Sequence, residues 1–163
     1  DDIDVVVCSH LHPDHCGCNQ FFRKARILVR VEELDVARSA DALGAGYLPV
    51  EWDYPLNYQA VTEDIDLFDD GAIRLMHLPG HTPGTMGALV NLRHSGRFLL
   101  AADAVSIRAN LDGDIIPKNT WNRDLCRESF AKVRSLEADG ATVICGHDDV
   151  QWQSLRKLAN GYD

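Results

Sequence analysis

The sequence predicts a single α/β domain in which short strands alternate with helices. Three observations lead to this prediction. With 163 residues and no internal repeat or low-complexity tract, the chain has the length of about one domain. Segments rich in β-branched residues alternate with segments of helical periodicity. Histidines and aspartates directly follow several of the predicted strands, at the end where open sheets build functional sites.

β-Branched residues mark the strands in the first part of the chain. Residues 3–8 (Ile-Asp-Val-Val-Val-Cys) and residues 25–30 (Ala-Arg-Ile-Leu-Val-Arg) each predict a short strand. Residues 31–40 predict a helix, because apolar side chains recur there among acidic neighbours. Residues 41–62 contain Gly, Pro and aromatic residues, and we expect an irregular loop of the length typical of a functional lid.

Two β-hairpins are predicted in the middle of the chain, each with a glycine in its turn. They comprise residues 65–67 and 73–77 around Asp70-Gly71, and residues 87–92 and 98–101 around Ser95-Gly96. Residues 123–136 have helical spacing, with Asn122 as the N-cap and Gly140 beyond the end. Residues 141–145 predict a last strand and residues 150–159 a last helix. Strands and helices interleave throughout, so the class is mixed.

Composition narrows the classes of function. Hydrophobic residues make up 45% and charged residues 25%, which excludes wholesale disorder. The net charge of −9, without a basic patch, argues against nucleic acid or an anionic membrane as partner. No apolar run reaches the roughly 18 residues that span a bilayer, and the acidic first residues do not resemble a signal peptide. Five cysteines at irregular spacing predict no disulfide framework and a cytoplasmic location.

One segment concentrates side chains that suit metal ions. Ser9-His10-Leu11-His12-Pro13-Asp14-His15 places three imidazoles and one carboxylate directly after a strand. Alternate residues of an extended chain point the same way, so His10 and His12 can converge on one ion. Pro13 turns the chain, which lets Asp14 and His15 face a second ion. Cys16 and Cys18 lie beside the segment and are weaker candidates, because a C-x-C pair alone is poor evidence of a thiolate site.

Three further candidates also follow predicted strands. His81 lies in the turn-rich Pro79-Gly80-His81-Thr82-Pro83-Gly84, Asp103 ends a buried strand, and His147 follows the last strand. Taken singly, a turn histidine, a helix N-cap and a loop histidine would explain them. Their shared position after strands favours one metal site, for which imidazole and carboxylate suit zinc, manganese or iron. His77 and His94 are left over, as a strand residue and a turn residue.

The ligand order His10-x-His12-x-Asp14-His15, then His81, Asp103 and His147, resembles the metallo-β-lactamase superfamily of αββα hydrolases. The resemblance implies one metal ion on His10, His12 and His81, a second on Asp14, His15 and His147, and Asp103 as the bridge. Zinc is the expected ion, with iron, manganese or cobalt as alternatives. Chains of that family begin about 80–100 residues earlier, so we expect residues 1–163 to be the metal-binding portion of a single domain that lacks its N-terminal strands.

Within the superfamily, the motifs resemble most the N-acyl-homoserine lactonases and the related pyridoxolactonase. We therefore expect a hydrolase in which a metal-bridging hydroxide opens a lactone ring or a similar ester, with Asp14 or Asp103 carrying the proton. Lactonases usually place a tyrosine, which assists at the substrate carbonyl, where this chain has Ser106, and often a histidine where it has Thr85.

Substrate contacts are expected mainly from the loop over residues 41–62. Ser106 and the aromatic residues Tyr47, Trp52, Tyr54 and Tyr58 are the candidates, with ordinary packing as the alternative for the aromatics. A small-molecule substrate and a possible homodimer are the expected partners. A glyoxalase-II-like thioesterase would use the same ligands, and a non-catalytic metal-binding fragment is a further alternative. A phosphodiesterase or nuclease of the same fold fits the charge of −9 poorly.

Overall fold

Two β-sheets lie face to face in the computed structural model, which describes residues 2–157 and 161–163. Apolar residues from both sheets meet between them, Leu28 and Val61 from the first sheet and Leu75 and Met86 from the second. Helices cover the two outer faces. The layers are therefore those of the predicted αββα fold.

The first sheet contains β1 (Val5–Val7), β2 (Arg26–Arg30) and β3 (Asn57–Val61), in that order and all parallel. The prediction of an irregular loop over residues 41–62 is wrong at its end, where β3 pairs with β2. The sequence of β3, Asn-Tyr-Gln-Ala-Val, alternates poorly and lacks a β-branched run, as befits a half-exposed strand beside a single partner. The rest of the segment includes the short helix α3 (Pro49–Trp52).

The second sheet has five strands in sequence order, antiparallel except for the last pair. They are β4 (Ile65–Asp66), β5 (Ile73–His77), β6 (Met86–Leu92), β7 (Gly96–Leu100) and β8 (Ala141–Ile144). Both predicted hairpins are confirmed. Their turns place Gly71 at φ 78° and Gly96 at φ 83°, which glycine adopts without steric cost.

Two helices form the outer layers. Helix α2 (Val31–Ala37) buries Leu34 against the first sheet, and α5 (Arg123–Ala138) buries Phe130 and Val133 against the second. Asn122 caps α5 as predicted, because its side-chain oxygen accepts hydrogen bonds from the backbone nitrogens of residues 124 and 125.

The shorter helices depart from the prediction. Helix α6 (Asp149–Ser154) ends before residue 155, so the predicted helix over 150–159 is too long; residues 158 and 159 lie outside the described residues. Helices α1 (Pro13–Cys16) and α4 (Arg108–Gly113) were not predicted. None of the helices in the described ranges combines the length and hydrophobicity needed to traverse a bilayer.

Candidate metal centre

The predicted ligands lie at one edge of the two sheets. His10 and His12 follow β1, and α1 carries Asp14 and His15. His81 follows β5, Asp103 lies in a 3₁₀ turn after β7, and His147 follows β8. Strands β5, β7 and β8 run in the same direction, so their carboxyl ends meet at this edge.

The first group of potential ligands consists of His10, His12 and His81, whose donor atoms lie within 4.8 Å of one another. Nδ1 of His12 is 3.0 Å from Nε2 of His81, and Nε2 of His10 is buried without a hydrogen-bond partner. Zinc with four tetrahedral ligands, each nitrogen 2.0–2.1 Å from the ion, separates those ligands by roughly 3.3 Å. The spacing and the unpartnered nitrogen therefore fit a divalent ion of this size.

The second group consists of Asp14, His15 and His147. Nε2 of His15 lies 3.3 Å from Nε2 of His147, and both nitrogens lie 3.5–3.6 Å from Oδ2 of Asp14. These distances again match neighbouring ligands of one tetrahedral ion.

Asp103 lies between the two groups. Its Oδ2 is 3.5 Å from Nε2 of His81, whereas its Oδ1 is 3.3 Å from His15 and 3.0 Å from His147. Oδ1 is buried, and neither imidazole approaches it in the geometry of a hydrogen bond. The structure thus brings all seven predicted ligands together, with the carboxylate that was expected to bridge in the middle. Their role as ligands stays a prediction.

Ser9 and Ala45 orient three of the imidazoles. The Ser9 hydroxyl lies 3.2 Å from Nδ1 of His10 and 3.4 Å from Nδ1 of His15. Nε2 of His12 lies 3.1 Å from the carbonyl oxygen of Ala45, to which it donates when it carries the proton. The opposite nitrogen of each ring then faces the cluster with its lone pair, as metal ligation requires. The sequence carries no signal for these contacts, because a serine beside a histidine is common in loops.

The protonation states also suit a cation. Burial and the neighbouring imidazoles of His15 and His81 lower the pKa of His10 to about 2, and burial lowers the pKa of His81 to about 4. Burial opposes ionisation of Asp103, but the close contact with His15, at 3.3 Å, and the charge of that imidazole prevail and lower the pKa of Asp103 to about 2. Burial likewise disfavours the charged form of His15, but Asp103 prevails and raises the pKa of His15. Near neutral pH, His10 and His81 are thus neutral beside an ionised carboxylate.

The backbone around Asp103 is tightly constrained. Ala102 has φ 46°, a conformation that residues with a Cβ adopt at a cost of about 1 kcal/mol or more. The backbone nitrogens of Gly146 and His147 donate to the carbonyl oxygens of Val105 and Ser106, at 3.0 Å and 2.7 Å. These bonds hold the loop of Asp103 against the loop of His147.

A cavity of about 580 Å³ opens beside the cluster, within the range of small-molecule sites. His12, Asp14 and His81 line it together with Tyr47 and with Trp121, whose exposed fraction is 55%. Tyr47 was a predicted substrate contact, whereas Trp121 was missed because nothing in the sequence places its loop beside His81.

The other predicted substrate contacts lie elsewhere. Trp52 is buried in the core outside the first sheet, and the Tyr54 hydroxyl donates to the carbonyl oxygen of Val50. Neither these two residues nor Ser106 are among those that line the cavity. Packing accounts for Trp52, and the substrate roles of all three stay predictions.

The cysteines lie outside the ligand groups of the proposed metal centre. The five cysteines are all free thiols. Cys16 is buried, its thiol lies 3.4 Å from the carbonyl oxygen of Leu11, and neither it nor the exposed Cys18 joins the ligand groups found among residues 2–157 and 161–163.

Known proteins resemble this chain over nearly its whole length. The family model for the metallo-beta-lactamase superfamily matches residues 1–147. The N-acyl homoserine lactonase AttM of Azorhizobium caulinodans is 34% identical over 169 residues, which cover 99% of this chain and 64% of the relative. The chain therefore spans less than two thirds of the length of this curated relative.

Two solved structures match with a TM-score of 0.85 and 26% identity, covering 98% of this chain and 61% of theirs. One is an AiiA mutant of Bacillus thuringiensis with N-decanoyl-L-homoserine bound at the active site. The other is an N-acyl homoserine lactone hydrolase with the product N-hexanoyl-L-homoserine bound at its catalytic metal center.

Proposed function

Because this chain belongs to the metallo-β-lactamase superfamily, we propose that it is part of a metal-dependent hydrolase that opens the ring of N-acyl-homoserine lactones or similar lactones. The observation that carries the proposal is the arrangement of seven potential ligands as two groups around Asp103. The similarity to the lactonase AttM, 34% over 99% of this chain, supports the lactone as substrate.

Two divalent ions fit the side chains present, and zinc is the ion we propose. His10, His12 and His81 would hold the first ion, whose neighbourhood is largely buried. Asp14, His15 and His147 would hold the second, which is the more accessible because the side chains of Asp14 and His147 have exposed fractions of 61% and 46%. Such ions supply hydroxide near neutral pH, because they lower the pKa of water from 15.7 to about 7.

In lactone hydrolysis, oxygen from water adds to the carbonyl carbon, the ring C–O bond breaks, and the released alkoxide takes a proton. Asp103 is a poor carrier of that proton, because its carboxylate is buried between the two groups of potential ligands. Asp14 lines the cavity and has the more exposed carboxylate. We therefore assign the proton transfer to Asp14 and the fixed negative charge to Asp103.

The cavity supports a small organic substrate. Trp121 offers exposed aromatic surface for an acyl chain beside His12 and His81, whereas the buried Tyr47 supports the wall of the cavity from below. The five free thiols accord with the predicted cytoplasmic location. The predicted homodimer is tested by sedimentation of the same sample that is used for activity.

The deciding experiment compares the hydrolysis of acyl-homoserine lactones of several chain lengths with that of a glutathione thioester, with bound metals quantified in the same preparation. We expect about two ions per chain, ring opening of the lactones, and loss of activity in Asp14→Asn. If the protein binds two ions and cleaves only the thioester, its function is that of a thioesterase and the lactonase proposal is wrong. Two ions without turnover of any substrate would leave a metal-binding module.

A further inference from the structure

We propose that Glu33 is a positioning residue for the first metal ion, because its carboxylate joins the loop of His10 and His12 to the loop of His81. The inference rests on the metal centre proposed above. No motif marks Glu33 in the sequence, where it reads as one of several acidic residues of an amphipathic helix.

Glu33 lies on α2 with an exposed fraction of 0%. Its Oε1 accepts a hydrogen bond of 2.9 Å from the backbone nitrogen of Leu11, the residue between His10 and His12. Its Oε2 accepts from the hydroxyl of Thr82, at 2.7 Å, and from the backbone nitrogen of Gly84, at 3.0 Å. Thr82 directly follows His81, so one carboxylate contacts neighbours of all three proposed ligands.

The loop of His81 fits closely against this carboxylate. A Cβ at Gly84 would lie only 2.4 Å from Cβ of Glu33, so the backbone approaches α2 as nearly as a glycine allows. The hydroxyls of Thr82 and Thr85 lie 2.7 Å apart. Nε2 of His77 lies 2.8 Å from the carbonyl oxygen of Pro83, which holds the loop from its other side. The loop of His81 is thus held by Glu33 on one side and by His77 on the other.

Only a carboxylate satisfies all these donors. Burying a carboxylate is costly unless hydrogen bonds compensate it, and here three donors do so. A glutamine would offer one acceptor oxygen and an NH₂ group that cannot accept. Its NH₂ group would face the backbone N–H of either Leu11 or Gly84, so Glu33→Gln must release one of the two loops.

Metal binding should therefore be weakened selectively in Glu33→Gln. Substitution of residues that orient metal ligands typically costs about 10–100-fold in metal affinity. We expect a loss of this size for the first ion. The second ion should lose less affinity, because the hydrogen bonds of Glu33 reach Leu11, Thr82 and Gly84, which lie beside the ligands of the first ion.

The experiment has two readouts that do not depend on activity. Stepwise zinc affinities are measured by competition with a chelator, and cobalt absorption spectra report the ligand geometry of each site. Amide hydrogen exchange of Leu11 and Gly84 is measured by NMR in the metal-free protein. Glu33→Gln should accelerate exchange at one of these amides, which shows the freed loop without any metal.

Three further variants serve as controls. Val133→Ala removes buried methyl groups from α5, in the outer layer opposite α2, and touches none of the hydrogen bonds of Glu33, so it should lower stability with little change in zinc affinity. Thr82→Val removes one hydrogen bond to Glu33 and should weaken the first ion less than Glu33→Gln does, whereas Thr82→Ser keeps the hydroxyl and should restore the affinity. The Thr82 pair keeps the test decisive if Glu33→Gln fails to fold.

The outcomes separate the two proposals. Wild-type protein that binds no metal would overturn the metal centre itself. Two tight ions in wild-type protein, with unchanged affinities and amide exchange in Glu33→Gln, would overturn the role of Glu33 alone. Equal weakening by Val133→Ala and Glu33→Gln would show a general effect of stability and would likewise overturn it.

Discussion

One added methyl group at Gly146 should dismantle the metal centre while leaving the fold in place. A Cβ at this position would lie 2.5 Å from Oδ1 of Asp103 and 2.8 Å from the carbonyl oxygen of Ala102. Separating the methyl and the carboxylate oxygen to 3.0 Å, still a tight contact, requires a movement of about 0.5 Å, and a comfortable 3.4 Å requires about 0.9 Å. Metal–ligand distances tolerate deviations of only about 0.2 Å, so a displaced Asp103 would no longer serve as the proposed bridge.

We therefore expect Gly146→Ala to lose one or both ions and about 100-fold in kcat/KM, the usual effect of a misplacement near 1 Å. Stability should fall by only about 1–3 kcal/mol, the cost of overpacking. Metal analysis, kinetics and thermal melting measure the three effects. Gly44→Ala is the matched control for metal content, because a Cβ there meets nothing within 4 Å. Gly146→Ala with two ions and wild-type kinetics would refute the reasoning.

Three further predictions follow from the electrostatics and the packing. The metal-free protein should lose stability as the pH falls from about 6.5 toward 4, by about 1.4 kcal/mol per pH unit for each of His10 and His81. The reason is that both histidines stay neutral in the folded state while the unfolded chain takes up protons. Urea unfolding at several pH values measures this loss. Asp103→Asn should lose at least one of the two ions in metal analysis, because the amide supplies no negative charge between them. Trp52→Ala should cost about 3–5 kcal/mol of stability without changing substrate affinity, whereas Trp121→Ala should raise KM without a comparable loss of stability.

Each of these predictions has a contrary result. Stability that is constant or rises between pH 6.5 and 4 would show that the two histidines are protonated in the folded protein. Two bound ions in Asp103→Asn would show that the carboxylate of Asp103 is not needed as a bridge between them. A raised KM in Trp52→Ala at full stability would show that Trp52 contacts the substrate, as the sequence predicted.

The sequence predicts most of the architecture because its strongest signals are local. The turns at Gly71 and Gly96 need positive φ, which glycine supplies, and both hairpins follow from them. The cap of α5 depends only on Asn122 and the next turn of helix. Strand β3 is not predicted because only Tyr58 and Val61 of its five residues favour strands, and because 26 residues separate it from its partner β2.

In the candidate site, too, the residues with a local signal in the sequence were predicted and those that depend on distant contacts were not. The seven predicted ligands meet because each follows an element that ends at the same edge, which is a regularity of the chain itself. Ser9, Trp121 and Glu33 were not predicted, since each acquires its role from a partner distant in the chain or from a ring orientation. Glu33 is the sharpest case: its nearest hydrogen-bond partner in sequence, Leu11, is 22 residues away, and helical periodicity marks acidic positions as solvent-exposed.

The distribution of ligands between the two sheets has a consequence for unfolding. Every ligand from the first motif, His10 to His15, follows β1 of the first sheet, whereas His81, Asp103 and His147 follow strands of the second. Each proposed ion would therefore bind both sheets at once, and the sheets could not separate without releasing it. Bound metal should then merge any independent melting of the two sheets into one cooperative transition, and the rate at which a chelator strips the ions would report how often the sheets part.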